Sequence, residues 1–169
     1  MKQVPDQEMA VCLQKRLEGA RRIAIMGIGD ELSPVDRLGM LAAREIEQLH
    51  LPGIRVFLAG TAPESITANL RRYYPDHVLL LDAADMGARP GTIACIGPGT
   101  IAASSLSTHA LPLSVVMEFI EQDSKAQVTL VGIQPDMTGG LASNEQDYFT
   151  ADFAGLLGTL RDICEKKSR

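Results

Sequence analysis

Three side chains in this sequence have the chemistry for hydrolysis at a metal: Asp36, Asp82 and His109. Two carboxylates and an imidazole form a mixed nitrogen and oxygen donor set. Such a set suits nickel, zinc, manganese or iron, with positions left open for water or substrate. A metal held there would polarise a carbonyl and lower the pKa of a bound water, so amide hydrolysis would need no protein nucleophile. Each of the three falls just beyond a predicted strand or just before a predicted helix, the edge where open α/β sheets take their ligands. Each also has a plain structural alternative. Asp36 would favour a helix dipole, Asp82 and Asp85 would brace the turn before Gly87, and His109 would bond a loop carbonyl. The chemistry depends on whether the three meet.

Other chemistries fit less well. Gly27-Ile28-Gly29 follows a strand and precedes a helix, but the third glycine of a dinucleotide fingerprint would fall at Leu32, and no Walker lysine is present. Those glycines read instead as a tight strand-to-loop turn. Ser104 and Ser105 lack the strand-turn-helix setting of a nucleophile elbow. No cysteine stands at a strand end or helix start that would favour its thiolate.

The elements that must position the acids follow from hydrophobic periodicity. A helix is expected over residues 6–18, with Met9, Cys12, Leu13 and Leu17 on one stripe. Strands are expected at Arg22–Ile28, Ile54–Gly60, Val78–Leu81, Thr92–Ile96 and Gln127–Ile133. Asp82 is then the first residue off the third strand. Ser33 reads as the N-cap of a second helix, with Pro34 at its first position and Asp36 three residues after the cap. Further helices are expected at Pro63–Tyr74, Leu111–Gln122 and Tyr148–Lys166. The link into Thr92–Ile96 is too short for a helical crossover, so that strand should pair antiparallel or lie at an edge. Gly97–Thr108 is a long small-residue loop of the kind that carries function. The alternation predicts a three-layer α/β sandwich: a mostly parallel five-stranded sheet with one antiparallel strand and helices on both faces.

Whole-chain properties narrow the function further. The 169 residues suit one α/β domain over 1–169. A net charge of −5 argues against a nucleic-acid partner. With no tryptophan and 4% aromatics, aliphatic side chains must fill the interior. Cys12, Cys95 and Cys164 are odd in number and lack CxxC spacing, so they read as small hydrophobes, not a disulfide framework or a zinc knuckle. His50 and His77 sit at element boundaries and are expected at the surface. No apolar run approaches the roughly 18 residues that span a bilayer. The amino terminus has no apolar core of a signal peptide, so a cytoplasmic location is expected.

Several motifs, in order, resemble a known family. They are Gly27-Ile28-Gly29 with its acidic loop, Ala59-Gly60-Thr61-Ala62-Pro63-Glu64, Leu81-Asp82-Ala83-Ala84-Asp85-Met86-Gly87 with Pro90-Gly91, Ser107-Thr108-His109 with Leu111-Pro112-Leu113, and Gly132-Ile133-Gln134-Pro135. Together they resemble the endopeptidases that mature nickel-iron hydrogenases, most closely the hydrogenase 3 type of formate hydrogenlyase. The resemblance implies removal of the C-terminal extension of a hydrogenase large-subunit precursor after nickel insertion. It places the family's metal contacts on Asp36, Asp82 and His109. The implied metal is nickel, supplied by the substrate or held at the scissile bond, with zinc as an alternative. No membrane or nucleic-acid partner is implied, and nothing demands more than a monomer. The chain departs from the family at three points. Gly29-Asp30 replaces Gly-Asn, and Val35 and Arg37 flank Asp36 where an acid and a glycine are usual. Those departures motivate a second expectation, a non-catalytic binding module or chaperone for the same precursor.

Overall fold

The computed structural model describes residues 5–97, 112–138 and 150–167. His109, Ser104, Ser105 and nearly all of the Gly97–Thr108 loop lie outside the described residues, as do Gly139 and Gly140. The helices are α1 (Pro5–Arg16), α2 (Leu38–Gln48), α3 (Thr67–Tyr73), α4 (Leu113–Ser124) and α5 (Ala151–Lys167). The strands are β1 (Ile23–Ile28), β2 (Ile54–Gly60), β3 (His77–Ala83), β4 (Ile93–Ile96) and β5 (Gln127–Ile133). They form one five-stranded sheet in the order β2-β1-β3-β5-β4. The β1–β2, β1–β3 and β3–β5 pairs are parallel, and β4 runs antiparallel to β5 at the edge. The expected architecture is present, including the antiparallel strand.

Burial explains the order. Every residue of β1 and β3 is buried, as befits central strands covered on both faces. Alternate side chains divide between two cores. Ile23, Ile25, Leu79, Leu81, Val131 and Ile133 pack with residues of α1, α2 and α5 on one face. On the other, Ala24, Met26, Val78, Leu80, Val128 and Leu130 pack with Leu70 of α3 and Leu113, Val116 and Ile120 of α4. No helix among the described residues is long and apolar enough to cross a membrane.

Three local expectations change. The α2 helix begins at Leu38 after Arg37, not at Ser33, so Asp36 belongs to the preceding turn. The third strand does not stop at Leu81. It continues through Asp82 and Ala83, which pair with Gly132 and Ile133. His77 is 2% exposed and not a surface residue. Its Nε2 lies 2.9 Å from Thr129 Oγ1 on the neighbouring strand. Burial first, and then the Arg16 charge, hold the His77 imidazole down at about 4, so it is neutral at physiological pH.

Glycines set the distance between α2 and the sheet. A Cβ on Gly39 would land on the backbone carbonyl oxygens of Leu81 and Ile28, and one on Gly27 would run into Ala43 and the Gly39 carbonyl. Gly27 thus serves helix-on-strand contact and not a turn. Gly39→Ala should destabilise the protein by roughly 1–3 kcal/mol, the usual cost of overpacking. The lower urea midpoint, at unchanged slope, would measure it.

Candidate functional site

Asp36 and Asp82 meet at the carboxyl end of the sheet by different routes. Asp82 is carried by β3 and shares the strand face of Val78 and Leu80, the face that α3 and α4 cover. Asp36 is delivered by the loop after β1. That loop leaves the sheet at Gly29, whose φ of 130° excludes most side chains and whose missing Cβ makes room for the Asp36 carbonyl. Asp30 then folds the chain back, its Oδ1 accepting the Leu32 N–H at 2.9 Å. The Asp30 N–H donates to Asp36 Oδ2 at 3.0 Å. Arg44 of α2 pairs with Glu31 of the same loop at 2.6 Å.

These bonds satisfy only part of the pair. Asp36 is 6% and Asp82 2% exposed. Asp36 Oδ1 and Asp82 Oδ1 are both buried and have no hydrogen-bond partner among the described residues. Asp82 is thus enclosed at the strand end. Its carboxyl group is pushed up to about 8, chiefly by burial and then by the Asp36 charge, while a bond from the Ala83 backbone opposes the rise. Two neighbouring buried carboxylates disfavour joint ionisation, which a proton on one of them relieves.

Arg37 offers the pair no relief. Its Nε is buried without a partner, and it forms no ion pair among the described residues. The two carboxylate oxygens without partners are donors of the kind a metal takes, and among the described residues no cation of the protein pairs with them. The described residues hold no cluster of three or more histidine, cysteine or acidic side chains placed to bind an ion. His109, which would complete the trio, lies outside them.

The bracing residues around the pair were not given roles by the sequence. Gln134 is 2% exposed and is bonded at both ends of its side chain. Its Oε1 accepts the N–H groups of Met86 and Ala88 at 2.6 and 3.3 Å. Its Nε2 donates to Asp85 Oδ1 at 3.3 Å and to the Pro135 carbonyl at 3.2 Å. Gln134 so joins the end of β5 to the turn that leaves β3 after Asp82. The one available signal was its place in the Gly132–Pro135 motif. Asp85 performs the structural task expected of it, accepting the Gly87 N–H at 3.1 Å.

Comparison with known proteins now bears on this arrangement. The family model HycI, hydrogenase maturation protease, matches residues 40–144. The chain belongs to the hydrogenase maturation proteases. The match includes Asp82 and His109 and begins just after Asp36. Hydrogenase 3 maturation protease of Escherichia coli K12 is 32% identical over 116 residues, 68% of this chain and 74% of that one. The crystal structure of the NiFe hydrogenase maturation protease HycI from Thermococcus kodakarensis superposes with a TM-score of 0.74 at 28% identity, covering 91% of this chain and 99% of that one. The solution structure of the endopeptidase HycI from Escherichia coli gives 0.63 at 27% identity, covering 88% and 92%. This hydrogenase maturation protease is thus a peptidase by family, on the α/β fold its relatives share.

The titration of Asp82 makes a prediction without any substrate. A carboxyl group whose folded pKa lies above its unfolded value binds more protons folded than unfolded, so stability falls as pH rises from about 4 to about 8. In metal-free buffer, Asp82→Asn should abolish most of that slope. It should exceed wild type by at least about 1 kcal/mol above pH 8, measured as urea unfolding free energy across pH.

Proposed function

We propose that the chain is a metal-dependent endopeptidase that removes the C-terminal extension of a nickel-iron hydrogenase large-subunit precursor after nickel has been inserted. The observation that carries this reading is the pair of buried, unpartnered carboxylate oxygens on Asp36 and Asp82. The family membership supplies the reaction class and the kind of substrate.

In this reading Asp36, Asp82 and His109 hold the metal, nickel carried in by the precursor or, alternatively, zinc. A divalent ion there would polarise the scissile carbonyl and acidify the attacking water. The protein's own residues do the rest. Asp30 fixes the rotamer of Asp36 through its backbone N–H, so the free oxygen has one direction. Asp82, held protonated at neutral pH by burial and by Asp36, would give up that proton on holding a cation. Because both acids are enclosed, the rim must open when the precursor docks.

Placement of His109 in the trio has topological support. The chain re-enters the described structure at Pro112, the N-cap of α4. From there α4 runs back along the sheet, and only Lys125 and Ala126 separate it from the start of β5. The start of α4 therefore lies towards the carboxyl ends of the strands, on the layer that the Asp82 side chain faces.

The test is incubation of purified protein with nickel-loaded precursor, following loss of the C-terminal peptide by mass spectrometry. Asp36→Asn, Asp82→Asn and His109→Ala should each lower the rate by at least about 100-fold. Processing by His109→Ala at the wild-type rate would refute the site. The ion must also displace the Asp82 proton, so affinity for nickel, measured by calorimetry, should rise with pH up to about 8 and then level off.

The binding-module reading retains one specific motive, the buried and unpartnered Nε of Arg37, a cation where the family has glycine. Capture of the precursor without cleavage, with cleavage restored in a Val35→Asp, Arg37→Gly double variant, would select it.

A further inference from the structure

The function derived above leaves two of the cysteines unused. Cys12, on α1, and Cys95, on the edge strand β4, are distant in sequence but neighbours in space, lining the same cavity. Both are free and half-buried. Both line one cavity of about 190 Å³, together with Arg16, Met117 and Thr129. The fold makes this meeting obligatory. Cys95 lies two residues after Ile93 and so shares its face of β4, and both pack against the core that α1 helps to form. On α1, Cys12 stands one turn after Met9 and one turn before Arg16, so the guanidinium and the thiol share an edge of the helix.

We propose that Cys12 and Cys95 are a dithiol that closes reversibly to a disulfide by exchange with a small disulfide such as glutathione disulfide. The two thiols differ in surroundings, which orders the steps. Burial and the neighbouring Cys12 push the Cys95 thiol up, with Arg16 acting against the rise. Cys12 is the entry point. It gives its proton to solvent, and its sulfur attacks one sulfur of glutathione disulfide, releasing one glutathione as thiolate. Cys95 then gives up its proton and attacks the Cys12 sulfur of the mixed disulfide, releasing the second glutathione. Two S–H bonds are exchanged for one S–S bond, and the two electrons leave on glutathione as two thiols.

The consequence is mechanical. Among the described residues, strand β4 is bonded to the sheet only through β5, and an edge strand is the part of a sheet least held by its neighbours. A Cys12–Cys95 bond ties that strand covalently to α1. It also fixes the strand from which the chain proceeds to His109.

The experiment is oxidation of the full chain in a glutathione redox buffer, followed by thiol counting and peptide mapping without reduction. Two of the three thiols should be lost, a Cys12–Cys95 linked peptide should appear, and the melting temperature should rise. Cys164→Ser should oxidise like wild type, and Cys12→Ser should lose closure. A second measurement needs no variant: a trivalent arsenical, which bridges closely spaced thiols, should bind the reduced native protein once and block the oxidation. A lasting glutathione adduct without closure, a disulfide involving Cys164 or a second molecule, or native protein that fails to take up the arsenical would overturn the proposal.

Discussion

Two enclosed carboxyl groups that feel each other's charge, each with an oxygen that has no partner among the described residues, set the terms for the structure around them. Burying one ionised carboxylate without a partner is among the more costly acts a fold can perform, and a second beside it adds repulsion. Proteins commonly relieve such a pair with an arginine, and Arg37 is adjacent in sequence yet makes no bond to it. Asp82 accordingly keeps its proton well into the neutral range. In the proposed reading that proton is a removable stand-in, and a cation displacing it would relieve both the desolvation and the repulsion.

The rest of the sheet end can be understood as support for that pair. Asp82 sits inside a fully buried central strand, paired with Gly132, and cannot swing out as a loop acid would. Asp36 rides on a loop whose shape is fixed at each end by glycine. Gly29 admits the Asp36 carbonyl, and Gly39 lets the following helix rest on the carbonyls of Leu81 and Ile28. The acid on the loop and the acid on the strand are therefore registered through backbone contact, with no flexible side chain between. Gln134 adds a second brace on the opposite flank, where it locks the turn after β3 to the end of β5.

Architecture was legible in the sequence because it follows from periodicity. Ile54–Gly60 and Gln127–Ile133 were delimited to the residue, the other strands closely, and the short link before Ile93 marked the antiparallel edge. What local reading missed was decided by distant partners. An acid ending an apolar run reads as a strand end, yet the ladder to β5 carries β3 two residues further. A boundary histidine reads as exposed, yet Thr129 supplies its buried partner from another strand. Ser33-Pro34 has the form of a helix start, but Asp36 spends its carboxylate on the Asp30 N–H and holds the segment as a turn. For the site, residue types and the sheet edge led to Asp36 and Asp82. Their enclosure was not legible, because hydrophobicity patterns say nothing about which polar groups a fold will bury.

The departures from the family pattern can be weighed by what each residue does. Asp30 replaces an asparagine, but its task is to accept the Leu32 N–H and present its own N–H to Asp36. An asparagine oxygen and backbone would do the same, so the change is structurally quiet. Val35 removes a negative charge from beside the pair, which eases the burial of Asp36. Arg37 is the consequential difference. Had its guanidinium paired with either carboxylate, it would have occupied the place of a cation and argued for a binding protein. It leaves Asp36 Oδ1 and Asp82 Oδ1 without a partner among the described residues, so its placement gives no argument against the proposed peptidase.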